Sequence, residues 1–214
     1  LNNFHIRNGY GTYLLKSAKG FDLVESIFCA TSLYRIKSGA VIYGFSIPLL
    51  DPLQGDSFGV YNSFNPEGGD KAVQNWLSVY NPGKESFSAD VKVYNQEGKK
   101  ENKRSFRISN LKPGERRDFA LGHEWGSVVG MYEISPDTSD QPYGAFVTRY
   151  GEKGKGNYAF AFAQLATEAS CNLSALPVST MEDATNWVEV GNAGDKSATV
   201  KLEVFNKFGK LLQS

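Results

Sequence analysis

The sequence predicts an all-β fold built from two β-sandwich modules. Apolar and polar residues alternate with a period of two along several short segments, and turn residues, with 22 Gly and 8 Pro in the chain, separate those segments. A period of two is the pattern of a half-buried strand, whereas helical spacing is hard to find. A third observation, a pattern that occurs twice, indicates how the modules are organised.

The internal repeat aligns residues 75–99 with residues 186–210 without gaps. The copies begin "NWLSVYNPG" and "NWVEVGNAG", and ten of 25 positions are identical. Several of the other positions keep their apolar character, as at Leu77 and Val188. A match of this length indicates a true structural repeat.

Each copy is expected to form a β-hairpin. The turn residues are Asn-Pro-Gly or Asn-Ala-Gly after the first strand and Asn-x-x-Gly after the second, where glycine supplies the positive φ of a tight turn. In the first copy, alternation predicts that five side chains face the core: Leu77, Val79, Ala89, Val91 and Val93.

Further strands are expected after the first copy. Alternating or apolar segments at 106–108, 117–121, 128–134, 144–150 and 158–164 are separated by turn signals, among them "LKPGE". About seven short strands in roughly a hundred residues are typical of an immunoglobulin-like sandwich. Residues 75–185 are therefore predicted to form one continuous module.

The second copy leaves few residues after it, yet the pattern continues at the other end of the chain. The segment Phe4-His-Ile6-Arg-Asn8 resembles Phe106-Arg-Ile108-Ser-Asn110, and joining the C-terminus to the N-terminus keeps the repeat in register to within one residue. We therefore predict a split module made of residues 1–74 plus 186–214.

The C-terminal hairpin needs a partner sheet, because uncovered Val and Leu side chains each forgo roughly 1.5–3 kcal/mol and a lone hairpin is marginal in water. Three arrangements supply one. The segment folds back on residues 1–74, or it enters the corresponding half of a neighbouring subunit head-to-tail, or it continues into a longer array of repeats.

Composition excludes some partners. Lys+Arg and Asp+Glu are both 23, so the chain lacks the basic excess that nucleic acids or anionic membranes attract. The chain also has no apolar run of the length that membrane insertion requires. We expect protein partners and no nucleic acid.

Catalytic patterns are missing from the sequence. Of two histidines, His123 lies beside Glu124 in a loop, a pair that could bind a metal or move a proton but usually does neither. Nucleophile-elbow, zinc-protease, P-loop and dinucleotide motifs are not found. We expect a protein that is not an enzyme, without catalytic residues, metal or cofactor.

Aromatic residues are the candidate ligand contacts. Trp76 and Trp187 occupy the face opposite the apolar pairs, and Trp125 shares a loop with His123. Such a tryptophan could cover a sheet edge, pack against a neighbouring module, or stack on a sugar ring. Binding through Trp125, His123, Trp76 and Trp187 is thus one prediction.

The two cysteines, Cys29 and Cys171, are a candidate disulfide. They would bond if their Cα atoms approach within about 7 Å, and a bond would favour an oxidising compartment.

The segment "LPVST…TNWVEVGNAGDKSATVKLEVFNKFGK", together with the "L-x-P-G" turn at 111–114, resembles tandem immunoglobulin-like β-sandwich modules of bacterial secreted and cell-surface proteins. The resemblance covers most of 75–210. It implies an extracellular, cell-surface or periplasmic protein with a non-catalytic adhesion, spacer or filament role. A carbohydrate-binding sandwich that uses exposed aromatics is the alternative.

Overall fold

The structure is a computed structural model that describes residues 30–48, 51–65, 73–126, 128–154, 157–169 and 186–213. Nearly all regular structure in these ranges is β-strand, with one short 3-10 turn at His123–Trp125. The strands are β1 (Ala30–Lys37), β2 (Ala40–Pro48), β3 (Ser57–Asn62), β4 (Gln74–Tyr80), β5 (Phe87–Asn95), β6 (Phe106–Leu111), β7 (Arg116–Ala120), β8 (Val129–Pro136), β9 (Gly144–Gly154), β10 (Asn157–Leu165), β11 (Val204–Phe205) and β12 (Leu211–Gln213).

Eight strands form a β-sandwich of two four-stranded antiparallel sheets. One sheet has the order β10-β9-β4-β7 and the other has the order β3-β8-β5-β6. The predicted all-β sandwich is confirmed. Two hairpins, β1-β2 and β11-β12, form separate two-stranded sheets.

The core lies between the two sheets and contains the side chains that alternation predicted. Leu77 and Val79 of β4 are fully buried, as are Ala89, Val91 and Val93 of β5. The intervening residues of β5, such as Asp90, face outward. The period of two therefore located the buried face of both strands correctly.

The predicted hairpin between these two strands is wrong. Strand β4 pairs with β7 and β9, whereas β5 pairs with β6 and β8, so the connection at 81–86 crosses from one sheet to the other. The buried Asn81 amide donates to the carbonyls of Glu85 and of the distant Leu111, which fixes a corner between sheets. The same Asn and Gly residues also suit hairpin turns.

The sandwich also takes a strand from before residue 75. Strand β3 pairs with β8 from Ser57 to Asn62, so the continuous module extends further toward the N-terminus than 75–185. The pairs β4-β7 and β5-β8 match the central pairs of an immunoglobulin sandwich, but the flanking strands differ. In this protein β3, the first strand of the sandwich, lies beside β8. An immunoglobulin domain has its last strand in that position.

The segments on either side of the sandwich are more exposed. Strand β2 lies near β10, and its Phe45 ring meets the Tyr150 ring of β9 edge to face with centroids 6.4 Å apart. Residues 186–213 do not pair into the sheets of the sandwich. The split module and its closure stay predictions, because residues 1–29 lie outside the described ranges.

Candidate functional site

The start of the C-terminal segment lies against the open side of the sandwich, where edge strands β3 and β10 face each other. The rings of Trp187 and Phe64 meet at a centroid distance of 5.4 Å with planes tilted by 34°. Four residues further along, Gly191 lies against Val60 and Met131 on the outer face of the β3-β8 sheet. Between these two contacts lies Glu189.

The Glu189 carboxylate accepts hydrogen bonds from side chains of three strands, β3, β9 and β10. Its Oε1 accepts from Asn62 Nδ2 at 2.6 Å and from a terminal guanidinium nitrogen of Arg149 at 3.0 Å. Its Oε2 accepts from Gln164 Nε2 at 3.0 Å. One side chain of the C-terminal segment therefore bridges both sheets of the sandwich.

Arg149 and Glu189 form an ion pair with little access to water. Only 9% of the arginine side chain and 11% of the glutamate side chain remain exposed. Burial lowers the pKa of the Arg149 guanidinium from its ordinary value, and the negative charge of Glu189 opposes that shift. The guanidinium also lies over the Phe162 ring, 5.1 Å from its centroid.

Two buried polar atoms in this cluster have no hydrogen-bond partner among the described residues. They are Nε of Arg149 and Oε1 of Gln164. Unpaired buried polar atoms are uncommon in proteins because each one costs desolvation free energy. This cluster therefore keeps two unpaired polar atoms buried despite the desolvation cost.

A cavity of about 280 Å³ opens beside the ion pair. Four aromatic and three polar side chains line it: Phe64, Phe160, Phe162, Trp187, Arg149, Gln164 and Glu189. The Phe160 and Phe162 rings lie nearly parallel, with centroids 6.0 Å apart and an angle of 21° between planes. The cavity therefore has flat aromatic walls, and the polar side chains Arg149, Gln164 and Glu189 form its polar end.

The other face of the same segment is exposed and apolar. Val188 and Val190 correspond to Leu77 and Val79 in the repeat, yet they are 42% and 63% exposed whereas their counterparts are 0% exposed. The segment thus contacts its own sandwich through the face that carries Trp187 and leaves its core-type face uncovered.

The second strand of the repeat shows the same contrast. Val200 and Leu202 correspond to Ala89 and Val91 of β5, and both are more than half exposed. Further exposed apolar side chains of the segment are Phe205, Phe208, Leu211 and Leu212. Residues 188–212 thus carry a contiguous set of large apolar side chains without a described partner.

The first turn of the repeat has the same hydrogen bonds in both copies. In the first copy, Gly83 N–H donates to Asn81 Oδ1 at 2.8 Å and the Asn81 amide donates to the Glu85 carbonyl at 2.7 Å. In the second, Gly194 N–H donates to Asn192 Oδ1 at 3.1 Å, and the Asn192 amide donates to the carbonyl four residues on at 2.8 Å. The corner is therefore built identically.

The second turn also matches. The N–H of Lys99 donates to Asn95 Oδ1 at 2.8 Å, and the N–H of Lys210 donates to Asn206 Oδ1 at 3.0 Å. Gly98 and Gly209 adopt φ of 76° and 78°. The two copies thus share both turns, but only the first copy contributes strands to the sheets of the sandwich.

Two of the predicted ligand residues, Trp76 and His123, pack against each other. Their ring centroids are 5.1 Å apart, and both residues are half-buried. Nδ1 of His123 accepts the Asn75 backbone N–H at 3.1 Å, so the proton of the neutral ring is on Nε2. The hydrogen bond from Asn75 to His123 supports the start of β4. The distance of 3.7 Å between Nδ1 of His123 and Oε2 of Glu124 is too long for a hydrogen bond.

Trp125 lies in the same turn but packs onto the core. Its ring meets Tyr61 edge to face at 6.0 Å, and the guanidinium of Arg104 lies 4.4 Å from its centroid. Its predicted ligand contact stays a prediction, although protein groups already cover much of the ring. Trp187, which is 54% exposed, presents the largest indole surface.

Several predictions fall outside the described residues. Cys29 and Cys171 both lie there, so the predicted disulfide stays a prediction. In the described part of the chain, no group of three or more His, Cys, Asp or Glu side chains is placed to hold a metal ion. The same residues contain no helix that is long and apolar enough to cross a membrane.

Sequence reasoning missed the polar part of the cluster. Arg149, Gln164, Glu189 and Asn62 were not singled out, because polar residues in alternating strands normally face water. One signal was present: Glu189 replaces the small Ser78 of the first copy. A long carboxylate at a position where the other repeat has serine indicates a different neighbour.

No protein-family model and no curated protein matches the chain. A search of solved structures finds the crystal structure of a protein from Thermotoga maritima, named by the number 1070, with 12% sequence identity and a TM-score of 0.41. The match covers 54% of this chain and 94% of that one. A similarity this low carries no argument about function.

Proposed function

We propose that this chain is a non-catalytic structural and interaction protein that assembles by β-strand complementation. In this proposal, residues 188–213 supply two strands to an incomplete sandwich in a second copy of the chain. The role would be that of an adhesion, spacer or filament module outside the cell or at its surface, a location that the resemblance to bacterial surface modules suggests.

One observation carries the proposal: the second copy of the repeat has the turns of the first copy but not its sheets. Val188, Val190, Val200 and Leu202 hold core positions by this correspondence, and all four are exposed. Covering each would gain roughly 1.5–3 kcal/mol, so a partner that supplies two sheets would bind the segment favourably.

The contacts of Glu189 support assembly through the exposed apolar face of the segment. They hold the segment to its own sandwich by one face, while Val188 and Val190 point away from it. A strand held in this way presents its apolar face to an incoming module. Heterologous contacts of this kind generate a filament if the rotation between copies does not close.

The N-terminal segment of this chain is the partner that the sequence indicates, and in this proposal a second copy supplies it. Residues Phe4–Asn8 resemble strand β6, which pairs with β5 in the complete sandwich, and the repeat stays in register from the C-terminus into that segment. Closure with the same segment of the same chain, or with a following repeat of a longer array, would use the same apolar surface.

Size-exclusion chromatography with light scattering tests the proposal on two chains. The full chain is compared with a chain that ends at Gly191, which retains Trp187 and Glu189 and removes the exposed second strand. Complementation in trans predicts dimers or polymers for the full chain and a folded monomer for the shortened one.

Two outcomes contradict it. A full chain that stays monomeric at high concentration, with a shortened chain that unfolds at lower temperature, indicates closure within one chain. Two equally stable monomers indicate that residues 192–214 take no part in assembly.

A further inference from the structure

The cavity beside the Arg149–Glu189 pair has the features of a small-ligand site. Ligand cavities span roughly 300–1,000 Å³ and combine apolar walls with a few converging polar groups. At about 280 Å³, this cavity lies just below the lower end of that range, which suits a small ligand. Phe64 and Trp187 form a wall that is open to solvent, so a solute can reach it.

The charges at the polar end select against ions. Glu189 would repel an anion, and Arg149 would repel a cation, while the pair together is neutral. The face of Phe162 that a cation would occupy already holds the Arg149 guanidinium. Although four aromatic rings could enclose a quaternary ammonium group, the position of the guanidinium disfavours one here.

The same groups suit a neutral solute with several hydroxyls. The guanidinium is a fork of five donors, of which Glu189 takes one in the described contacts, and a carboxylate has about four acceptor positions. The amide of Gln164 adds a donor and an acceptor. A purely apolar solute would leave these groups without partners, which costs free energy.

From the two flat aromatic walls and the neutral polar end, we infer that the cavity binds a small saccharide, with the ring stacked on Trp187 and Phe64 and its hydroxyls directed at Arg149, Gln164 and Glu189. This site lies away from Trp76 and Trp125, and it does not depend on the proposed strand complementation.

Saturation-transfer NMR on the full chain tests this inference and tolerates large assemblies. The probes are glucose, galactose, mannose and N-acetylglucosamine, each added as the free sugar, with tetramethylammonium and phosphate as ionic comparisons. We expect saturation to reach the ring C–H protons of at least one sugar, with a dissociation constant in the millimolar range.

Variants locate the binding. Trp187→Ala, at an exposed residue, should abolish the transfer, and Phe64→Ala should reduce it. Glu189→Gln, which keeps the shape and loses the charge, should weaken binding by about tenfold because hydrogen bonds to charged groups are the strong ones. The control Phe208→Ala, at an exposed aromatic residue outside the cavity, should bind sugar as the wild type does.

Three results would overturn the inference: transfer to none of the four sugars, transfer that persists unchanged in both Trp187→Ala and Phe64→Ala, or binding of tetramethylammonium or phosphate in place of the sugars. None of these depends on the oligomeric state, so the site can fail while strand complementation holds.

Discussion

Glu189 reaches from the C-terminal segment into the side of the sandwich and forms an ion pair with Arg149 of β9, with its Oε1 3.0 Å from the guanidinium nitrogen. Asn62 of β3 and Gln164 of β10 hold the same carboxylate. The segment is therefore attached through a nearly buried polar contact, while its apolar side chains are exposed.

Removal of this carboxylate should destabilise the sandwich. Glu189→Ala leaves the Arg149 charge buried without its partner, so the free energy of unfolding should fall by about 3 kcal/mol. Urea denaturation followed by circular dichroism measures the change. The double variant Arg149→Met/Glu189→Ala should regain much of the loss, because no uncompensated charge remains.

The matched control is Glu203→Ala. That glutamate pairs with Lys201 in an exposed segment before β11, so its loss should change the free energy of unfolding by less than about 0.5 kcal/mol. Equal effects of Glu189→Ala and Glu203→Ala would mean that the buried pair does not hold the segment in place.

The repeat offers a comparison of one substitution at two equivalent positions. Val79→Ala removes buried methyl groups from the core and should cost about 2 kcal/mol. Val190→Ala, at the exposed counterpart, should cost less than about 0.5 kcal/mol in the dilute monomer. Thermal unfolding at low protein concentration measures both, and a similar loss in each would show that Val190 is already covered in the monomer.

Assembly should respond to one face of the second strand and not to the other. Leu202→Gln places an amide at a position that corresponds to buried Val91 and should reduce oligomer formation at least tenfold, since about 1.4 kcal/mol corresponds to that factor. Thr199→Gln, on the alternate face, should leave assembly unchanged. Light scattering over a concentration series distinguishes the two, and equal behaviour would argue against strand insertion.

The two turn asparagines should differ in importance although their local hydrogen bonds match. Asn81→Ala leaves the buried Leu111 carbonyl without a donor and also removes the partly buried hydrogen bond to the Glu85 carbonyl, so we expect a loss of about 3 kcal/mol. Asn192→Ala affects an exposed turn and should cost about 0.5–1 kcal/mol. Chemical denaturation of both variants checks the difference, and the reverse order would contradict it.

Acid stability should depend on Glu133 of β8. Burial raises the pKa of this carboxyl, but hydrogen bonds from Lys92, Tyr94 and Ser135 outweigh it, so the pKa is lowered from 4.5. A lowered pKa in the folded state contributes stability above the unfolded value, and that contribution is lost as pH falls through the folded value. The wild type should therefore lose stability below pH 4.5 more steeply than Glu133→Gln.

Thermal unfolding between pH 7 and pH 3 measures this difference. Glu97→Gln on an exposed turn is the control, and it should follow the wild-type profile. Parallel profiles for the wild type and Glu133→Gln would show that the hydrogen bonds do not stabilise the ionised form.

Much of the sandwich could be predicted from residue patterns. Alternation identified Val79 and Val91 as core residues, because a half-buried strand requires that periodicity. The assignment of β4 and β5 to different sheets could not be predicted, since Asn81 with Gly83 suits a hairpin turn and an intersheet corner equally. The decisive contact, to the Leu111 carbonyl, joins residues thirty positions apart.

The candidate site was predicted only in part. Trp187 stood out because a large indole on the polar face of a strand needs a neighbour. Glu189 did not, because it alternates with valine residues as an ordinary surface charge does. Arg149 was also missed, although it lies in phase with the buried Val147. Their pairing depends on where the C-terminal segment lies against β9, and no local pattern encodes that position.

The matched turns at Asn81 and Asn192 affect the affinity of the proposed assembly. Fixing the backbone of one residue costs about 1–2 kcal/mol in conformational entropy, and a disordered peptide would lose that freedom on docking. A segment that already holds its bend before encounter loses less, so its affinity depends mainly on the apolar surface that it buries. In the proposed assembly, such a segment would dock as a preorganised element and would not have to fold as it binds.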